Sequence, residues 1–191
     1  MQEDALICID LIWTTVAVFW LFSSLRRKPV ARVSQRGDRT VQIGLLIGAG
    51  LLLFTSWPQV TALAARVVPD DRAVAALGVV LAISGAAFAI IARGFLGANW
   101  SGRAVIKDAH EMVCRGPYAL VRHPIYTGLL LAAAGTAMVG GRLHDFLGVA
   151  LLWAAFELKR RDEEELLLRA FGDDYRAYRR AVRSAIVPFV P

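Results

Sequence analysis

Long apolar runs separated by clusters of arginine and lysine constrain this chain more than any other feature. Ala5–Leu25 holds 21 residues with Asp10 as its one charge. Coiled as an α-helix at roughly 1.5 Å per residue, it would reach about 31 Å and cross a bilayer core. Val41–Ala65 and Ala73–Ala92 are of similar length and character. Two shorter runs, Ile125–Val139 and Leu143–Leu158, flank Gly140-Gly141-Arg142. Each would span about 23 Å as a helix, and the glycine pair suits a tight turn between them. The pattern predicts an all-α, polytopic membrane helix bundle of about five transmembrane helices. The last two form a short helical hairpin, followed by a cytoplasmic C-terminal helix. A length of 191 residues allows one membrane domain, 1–191, with the first three helices in 1–92 and a more polar part in 93–191.

Orientation follows from the basic residues. The first loop carries Arg26, Arg27, Lys28, Arg32, Arg36 and Arg39 against Asp38, whereas the second balances Arg66 and Arg72 against Asp70 and Asp71. Segment 93–122 is basic again, and Lys159-Arg160-Arg161 follows the last apolar run. The positive-inside rule then puts the N-terminus outside and the C-terminus in the cytoplasm. Met-Gln-Glu-Asp precedes the first run where a cleaved signal would carry basic residues, so that run reads as a membrane anchor. The net charge of +6 fits cytoplasmic loops facing anionic headgroups and carries no nucleic-acid signature. Cys8 and Cys114 fall on opposite sides of the membrane, which argues against a disulfide, and no Cys/His spacing points to a metal. Gly44, Gly48, Gly50, Gly78 and Gly85 read as sites of close helix contact within the chain. No internal repeat is evident, and oligomeric state stays open.

The polar segments carry the chemistry. Arg93–Val121 contains Asn99-Trp-Ser, His110-Glu-Met-Val113 and the turn-forming Gly116-Pro117 before Tyr118. Pro124 suits the first position of a helix and biases His123 away from it, so the fourth membrane helix begins at Pro124 with His123 near its cap. Free backbone N–H groups at such an end attract negative charge, and Arg122 and His123 stand beside them. After the last run, Glu163, Glu164 and Glu165 fan across about 200° of a helix, so one or two face inward and the rest meet solvent. A glutamate beside an anion-receiving helix end gives a site of both polarities. The plainer reading makes His123 a cap, the acidic run a solvated helix face, and Tyr118 and Tyr126 interfacial aromatics.

Gly-Pro-Tyr118, Arg122-His-Pro-Ile-Tyr-Thr-Gly128, Glu163-Glu164 and Phe171-Gly-Asp-Asp-Tyr175-Arg-Ala-Tyr178, taken in order, resemble the isoprenylcysteine carboxyl methyltransferase family. That family belongs with the phospholipid methyltransferases among integral-membrane enzymes. The resemblance runs from about Phe95 to Pro191, and it implies that 93–191 is the cofactor-binding and catalytic part, using S-adenosylmethionine. It implies cofactor contacts at His110, Glu111, Met112 and Val113, at Tyr118, at His123, Pro124, Ile125 and Tyr126, and at Glu163 with Glu164 behind it. The family's substrate contact is an arginine four residues before that glutamate. Here Lys159 occupies the position with Arg160 adjacent, and lysine does not replace arginine for bidentate carboxylate recognition. Lys159, Arg160 and Glu163 therefore form the candidate catalytic set. No Gly-rich turn after a strand is present, so a Rossmann-type cofactor domain is not indicated.

The implied activity is methyl transfer to the carboxylate of a prenylated cysteine or another lipophilic acceptor drawn from membrane lipid. Alternatives are a phospholipid N-methyltransferase, a membrane reductase using NADPH, and a non-catalytic membrane protein of the same fold.

Overall fold

The computed structural model describes residues 2–24, 30–33, 39–55, 62–97, 105–107 and 112–187. Five helices dominate them: α1 (Gln2–Ser24), α2 (Arg39–Phe54), α3 (Arg72–Leu96), α4 (Pro124–Gly140) and α5 (Leu143–Ala181). Two short strands, β1 (Val30–Val33) and β2 (Val105–Lys107), pair antiparallel, an element the apolar periodicity did not predict.

Among the described residues, two helices are long and apolar enough to cross a membrane, Glu3–Ser23 within α1 and Arg72–Leu96. α2 and α4 are apolar but have 16 and 17 residues, about 24–26 Å of helix. The second helix is thus shorter than the Val41–Ala65 run predicts. It stops at Phe54, the hydroxyl of Thr55 turns back onto the Leu51 carbonyl, and Pro58 in the sequence opposes helix at the residue before it. Residues 62–68 then fold against the α4–α5 connection, with Val67 N–H donating to Gly141 O at 2.8 Å and Leu143 N–H to Ala65 O at 2.9 Å.

α3 starts at Asp71, whose carboxylate accepts the Ala73 N–H at 2.7 Å, a standard N-cap. Its far end reaches Leu96, so Arg93 lies inside the helix rather than opening the polar segment. Buried there, Arg93 donates to the carbonyls of Ser23 at 2.8 Å and Gly97 at 2.7 Å, joining the ends of α1 and α3.

α3 and α4 form the most intimate pair, because glycines face each other. A Cβ on Gly128 would stand 2.6 Å from the Gly85 carbonyl oxygen, and one on Gly78 would stand 2.8 Å from the Gly135 oxygen. Small residues let the backbones meet. Among the described residues, a Cβ on Gly44 or Gly50, also expected to pack, would meet open space, and one on Gly48 would meet the Leu151 side chain at 3.2 Å. α1 lies along α3, α2 lies along α5, and Trp13 of α1 donates its indole N–H to Thr136 of α4 at 2.9 Å. Outward, Leu11, Phe22, Ile47 and Val80 are all more than half exposed, an apolar perimeter suited to lipid tails.

Gly141 turns α4 into α5 with φ 72°, and Asp145 accepts the Arg142 N–H at 2.9 Å to cap α5. α5 runs far past Leu158. Only Gly172 leaves helical geometry, at φ 53° and ψ −117°, and this kink folds the last turns back toward the head of α4.

Candidate functional site

The site forms where the head of α4, the middle of α5 and the segment after α5 converge. Gly116–Ala119 is a 3₁₀ turn with Pro117 in its first positions and Gly116 at φ 62° against the Phe95 ring. It buries Tyr118, whose carbonyl accepts the Tyr178 hydroxyl at 2.7 Å from beyond the Gly172 kink. His123 caps α4 without a side-chain hydrogen bond to its own helix, and Pro124 occupies the first turn.

α5 meets this loop along one face. Residues 156, 159, 160, 163 and 164 share a side at helical spacing. Glu163 accepts the Tyr126 hydroxyl at 2.7 Å, lies 3.5 Å from His123 Nδ1, and has Lys159 Nζ at 3.9 Å. Glu164 lies 2.9 Å from Arg122 Nε, 3.3 Å from His123 Nε2, 3.3 Å from Arg160 and 3.7 Å from Arg179. The acidic run therefore divides: Glu163 and Glu164 face inward, and Glu165 pairs with Arg169 on the exposed side.

Both His123 ring nitrogens face carboxylate oxygens, which only accept hydrogen bonds, so the doubly protonated ring alone satisfies both. Burial opposes that charge, but hydrogen bonds and the charges of both glutamates outweigh it and raise the His123 pKa. Burial likewise acts against ionised Glu164, yet His123 and Arg122 hold its pKa down to about 2. Glu163 is also lowered, against its burial, by His123 and then Lys159.

Above these charges lies an aromatic stack. The Tyr126 ring is parallel within 4° to His123 at 5.4 Å and within 15° to Phe156 at 4.6 Å. Lys159 Nζ sits 5.4 Å from the Tyr126 centroid. Phe156, Tyr118, Ile125 and Ile186 continue the stack into an apolar cluster that includes Trp20, Leu129 and Leu152. Charge and hydrocarbon thus adjoin across one aromatic wall.

Of the expected site residues, Tyr118, His123, Pro124, Ile125, Tyr126, Lys159, Arg160, Glu163 and Glu164 come together here, and Met112 and Val113 lead into the 3₁₀ turn half-buried. His110 and Glu111 lie outside the described residues. Arg160 is committed: Nε and Nη2 grip Glu157, and Nη1 faces Glu164. Arg122 and His123 turn toward the glutamates, and their backbone N–H groups donate to Ser184 O at 3.0 Å and Ala185 O at 2.9 Å. Sequence reasoning passed over Phe156, Arg179 and segment 182–186. Phe156 was open to discovery two helical turns before Glu163, whereas the other two owe their place to the kink.

Residues 76–170 match the model of the isoprenylcysteine carboxyl methyltransferase family, from α3 through the loop and α4 into α5. The match begins earlier than the Phe95 resemblance and ends before the Phe171–Tyr178 motif. A protein-S-isoprenylcysteine O-methyltransferase of Schizosaccharomyces pombe is 42% identical over 83 residues, covering 43% of this chain and 35% of the relative. A probable protein-S-isoprenylcysteine O-methyltransferase of Oryza sativa subsp. indica is 35% identical over 85 residues, 44% of each chain. The Rattus norvegicus protein-S-isoprenylcysteine O-methyltransferase is 28% identical over 118 residues, 60% of this chain and 41% of its own length. The chain thus spans less than half the length of these relatives. The inward Arg122-His-Pro-Ile-Tyr126 and Glu163-Glu164 both lie within the matched span, and the chain belongs to the isoprenylcysteine carboxyl methyltransferase family.

Proposed function

We propose that this protein is an integral-membrane methyltransferase that uses S-adenosylmethionine to esterify the carboxylate of a prenylated cysteine or similar lipophilic acid. The observation that carries the reading is the adjacency of the Glu163–Tyr126–His123 cluster to the apolar wall of Phe156 and Ile125. A charged cofactor and a greasy acceptor need such a boundary.

The donor set fits the cofactor. Glu163, with its side chain 21% exposed, can accept from an amine or a ribose diol, and the Tyr118 ring adds an aromatic surface beside it for a sulfonium or a base. We assign Met112, Val113, Tyr118, the His123–Tyr126 turn and Glu163 to holding it, with His110 and Glu111 proposed from sequence. When bound, the cofactor supplies an electrophilic methyl group on sulfur. An acceptor carboxylate is already ionised at neutral pH, so no residue need remove a proton. The chain's own residues orient the acceptor and keep water from it. Lys159 is the cation we assign to the acceptor carboxylate, because Arg160 already spends its fork on Glu157 and Glu164. Phe156 and its apolar neighbours hold the lipid chain.

The topology that serves this reading has five crossings, α4 and the first part of α5 forming a short hairpin. The N-terminus lies outside, and the site and C-terminus lie in the cytoplasm. The test incubates protein in nanodiscs with labelled S-adenosylmethionine and, separately, a farnesylated cysteine, phosphatidylethanolamine and a membrane extract. Base-labile label on the farnesylated cysteine is expected. Label confined to phosphatidylethanolamine would replace carboxyl methylation with N-methylation.

A further inference from the structure

We propose that Glu164 and Arg122 are positioning residues that latch the segment after α5 across the head of α4 and thereby fix the His123 ring at the cofactor pocket. The inference rests on the methyltransferase reading for its functional meaning, and on geometry for the latch itself.

Glu164 is unsuited to touch a ligand. Its side chain is 7% exposed, and Arg122, His123, Arg160 and Arg179 surround its two oxygens. Glu163, one residue away, keeps three times that exposure and carries fewer partners.

Arg122 joins Glu164 to the tail. Its Nε faces Glu164 while Nη1 donates to the carbonyls of Val182 and Arg183. The tail continues in register along the loop. Ser184 and Ala185 carbonyls accept the backbone N–H groups of Arg122 and His123, and the Ile186 carbonyl accepts the Thr127 hydroxyl. Ala185 and Ile186 are buried, and Ile186 belongs to the apolar cluster under Tyr126. Backbone carbonyls of the tail thus pin the two residues that lead into α4, the N-cap His123 and Arg122 before it. His123 is held on both sides, by its backbone to the tail and by its ring to the glutamates.

The charged and titratable groups around that ring are Glu163, Glu164, Lys159 and Arg160 from α5, Arg179 beyond the kink, Arg122 beside it, Tyr126 from α4 and Tyr118 from the 3₁₀ turn. Removing the Glu164 charge leaves Glu163, among the described residues, as the one carboxylate favouring the imidazolium. The ring should then deprotonate at lower pH, and its hold on Glu163 should fail first in alkaline solution.

The experiment titrates the His123 ring by ¹⁵N NMR in micelles and measures S-adenosylhomocysteine binding by calorimetry at pH 6 and pH 8. With Glu164→Gln, the His123 midpoint is expected to fall by about a unit. Binding is expected to weaken more at pH 8 than at pH 6, by up to tenfold, a unit shift being a factor of ten. Arg122→Lys keeps a point charge but loses the fork. It is expected to speed amide exchange in 182–187 and weaken binding, and it carries the test should Glu164→Gln fail to fold. A wild-type midpoint in Glu164→Gln, equal weakening at both pH values, or unchanged exchange in Arg122→Lys would overturn the proposal. Wild-type protein that binds no S-adenosylhomocysteine would instead overturn the methyltransferase reading, and the His123 midpoint would still decide the positioning role.

Discussion

His123 sits between two carboxylates at 3.5 and 3.3 Å, so its charge is part of the fold. A histidine whose folded pKa is raised contributes stability that is fully present below its unfolded value, roughly 6.5, and lost as pH rises through the folded value. Glu163 and Glu164 are lowered, so their contribution is present above roughly pH 4.3 and lost as pH falls through their folded values. Thermal unfolding against pH is therefore expected to decline on the alkaline side above pH 6.5, and His123→Gln should flatten that limb. A parallel decline in the variant would assign the alkaline limb to other groups. Lys159 and Arg160 are expected to separate by readout. Lys159→Ala should raise the acceptor KM roughly tenfold, about 1.4 kcal/mol, with cofactor affinity near wild type. Arg160→Ala, which abandons Glu157 and a buried Glu164, should lower Tm. Equal effects on acceptor KM would contradict the assignment. The motif order told which residues to gather, and helical spacing told that only some glutamates turn inward. That Glu164 would be enclosed by four cations was not legible, because three of them, Arg122, His123 and Arg179, come from other parts of the chain.

Helix pairs in a membrane gain little from hydrophobicity, since lipid is as apolar as leucine, so close backbone contact matters more. Gly85 and Gly128 provide it between α3 and α4. Gly128→Val would drive a branched side chain into the α3 backbone, and overpacking of this kind costs about 1–3 kcal/mol. A lower Tm with impaired cofactor binding is expected, because α4 carries His123 and Tyr126 at its head. The kink in α5 makes a different demand. Gly172 has open space around a Cβ position but a backbone at φ 53° and ψ −117°, a region that other residues enter at about 1–3 kcal/mol. Gly172→Ala should loosen the Tyr178–Tyr118 bond and speed amide exchange in 173–187, whereas a wild-type exchange pattern would show the kink to be unstrained. Apolar run lengths foretold where α4 and α5 begin. They overestimated α2, which ends at Phe54 although apolar residues continue beyond it in the sequence.

At the scale of the molecule, an apolar perimeter on α1, α2 and α3 surrounds a body whose charges gather at the head of α4. The proposed orientation is open to a direct check, because Cys114 is exposed just before the 3₁₀ turn. In a Cys8→Ala background, a membrane-impermeant maleimide is expected to label Cys114 in inside-out vesicles and spare it in intact cells; labelling in intact cells would invert the topology. By itself, the sequence determined the helical character of the chain, the starts of its last two helices and the residues of the polar cluster. Those properties follow from local hydrophobicity, from proline and glycine, and from motif order. Only the tertiary structure decided which partner each charge takes. The Gly172 kink carries Arg179 and residues 182–186 back to a loop some sixty positions earlier, and contacts over that separation depend on how helices pack.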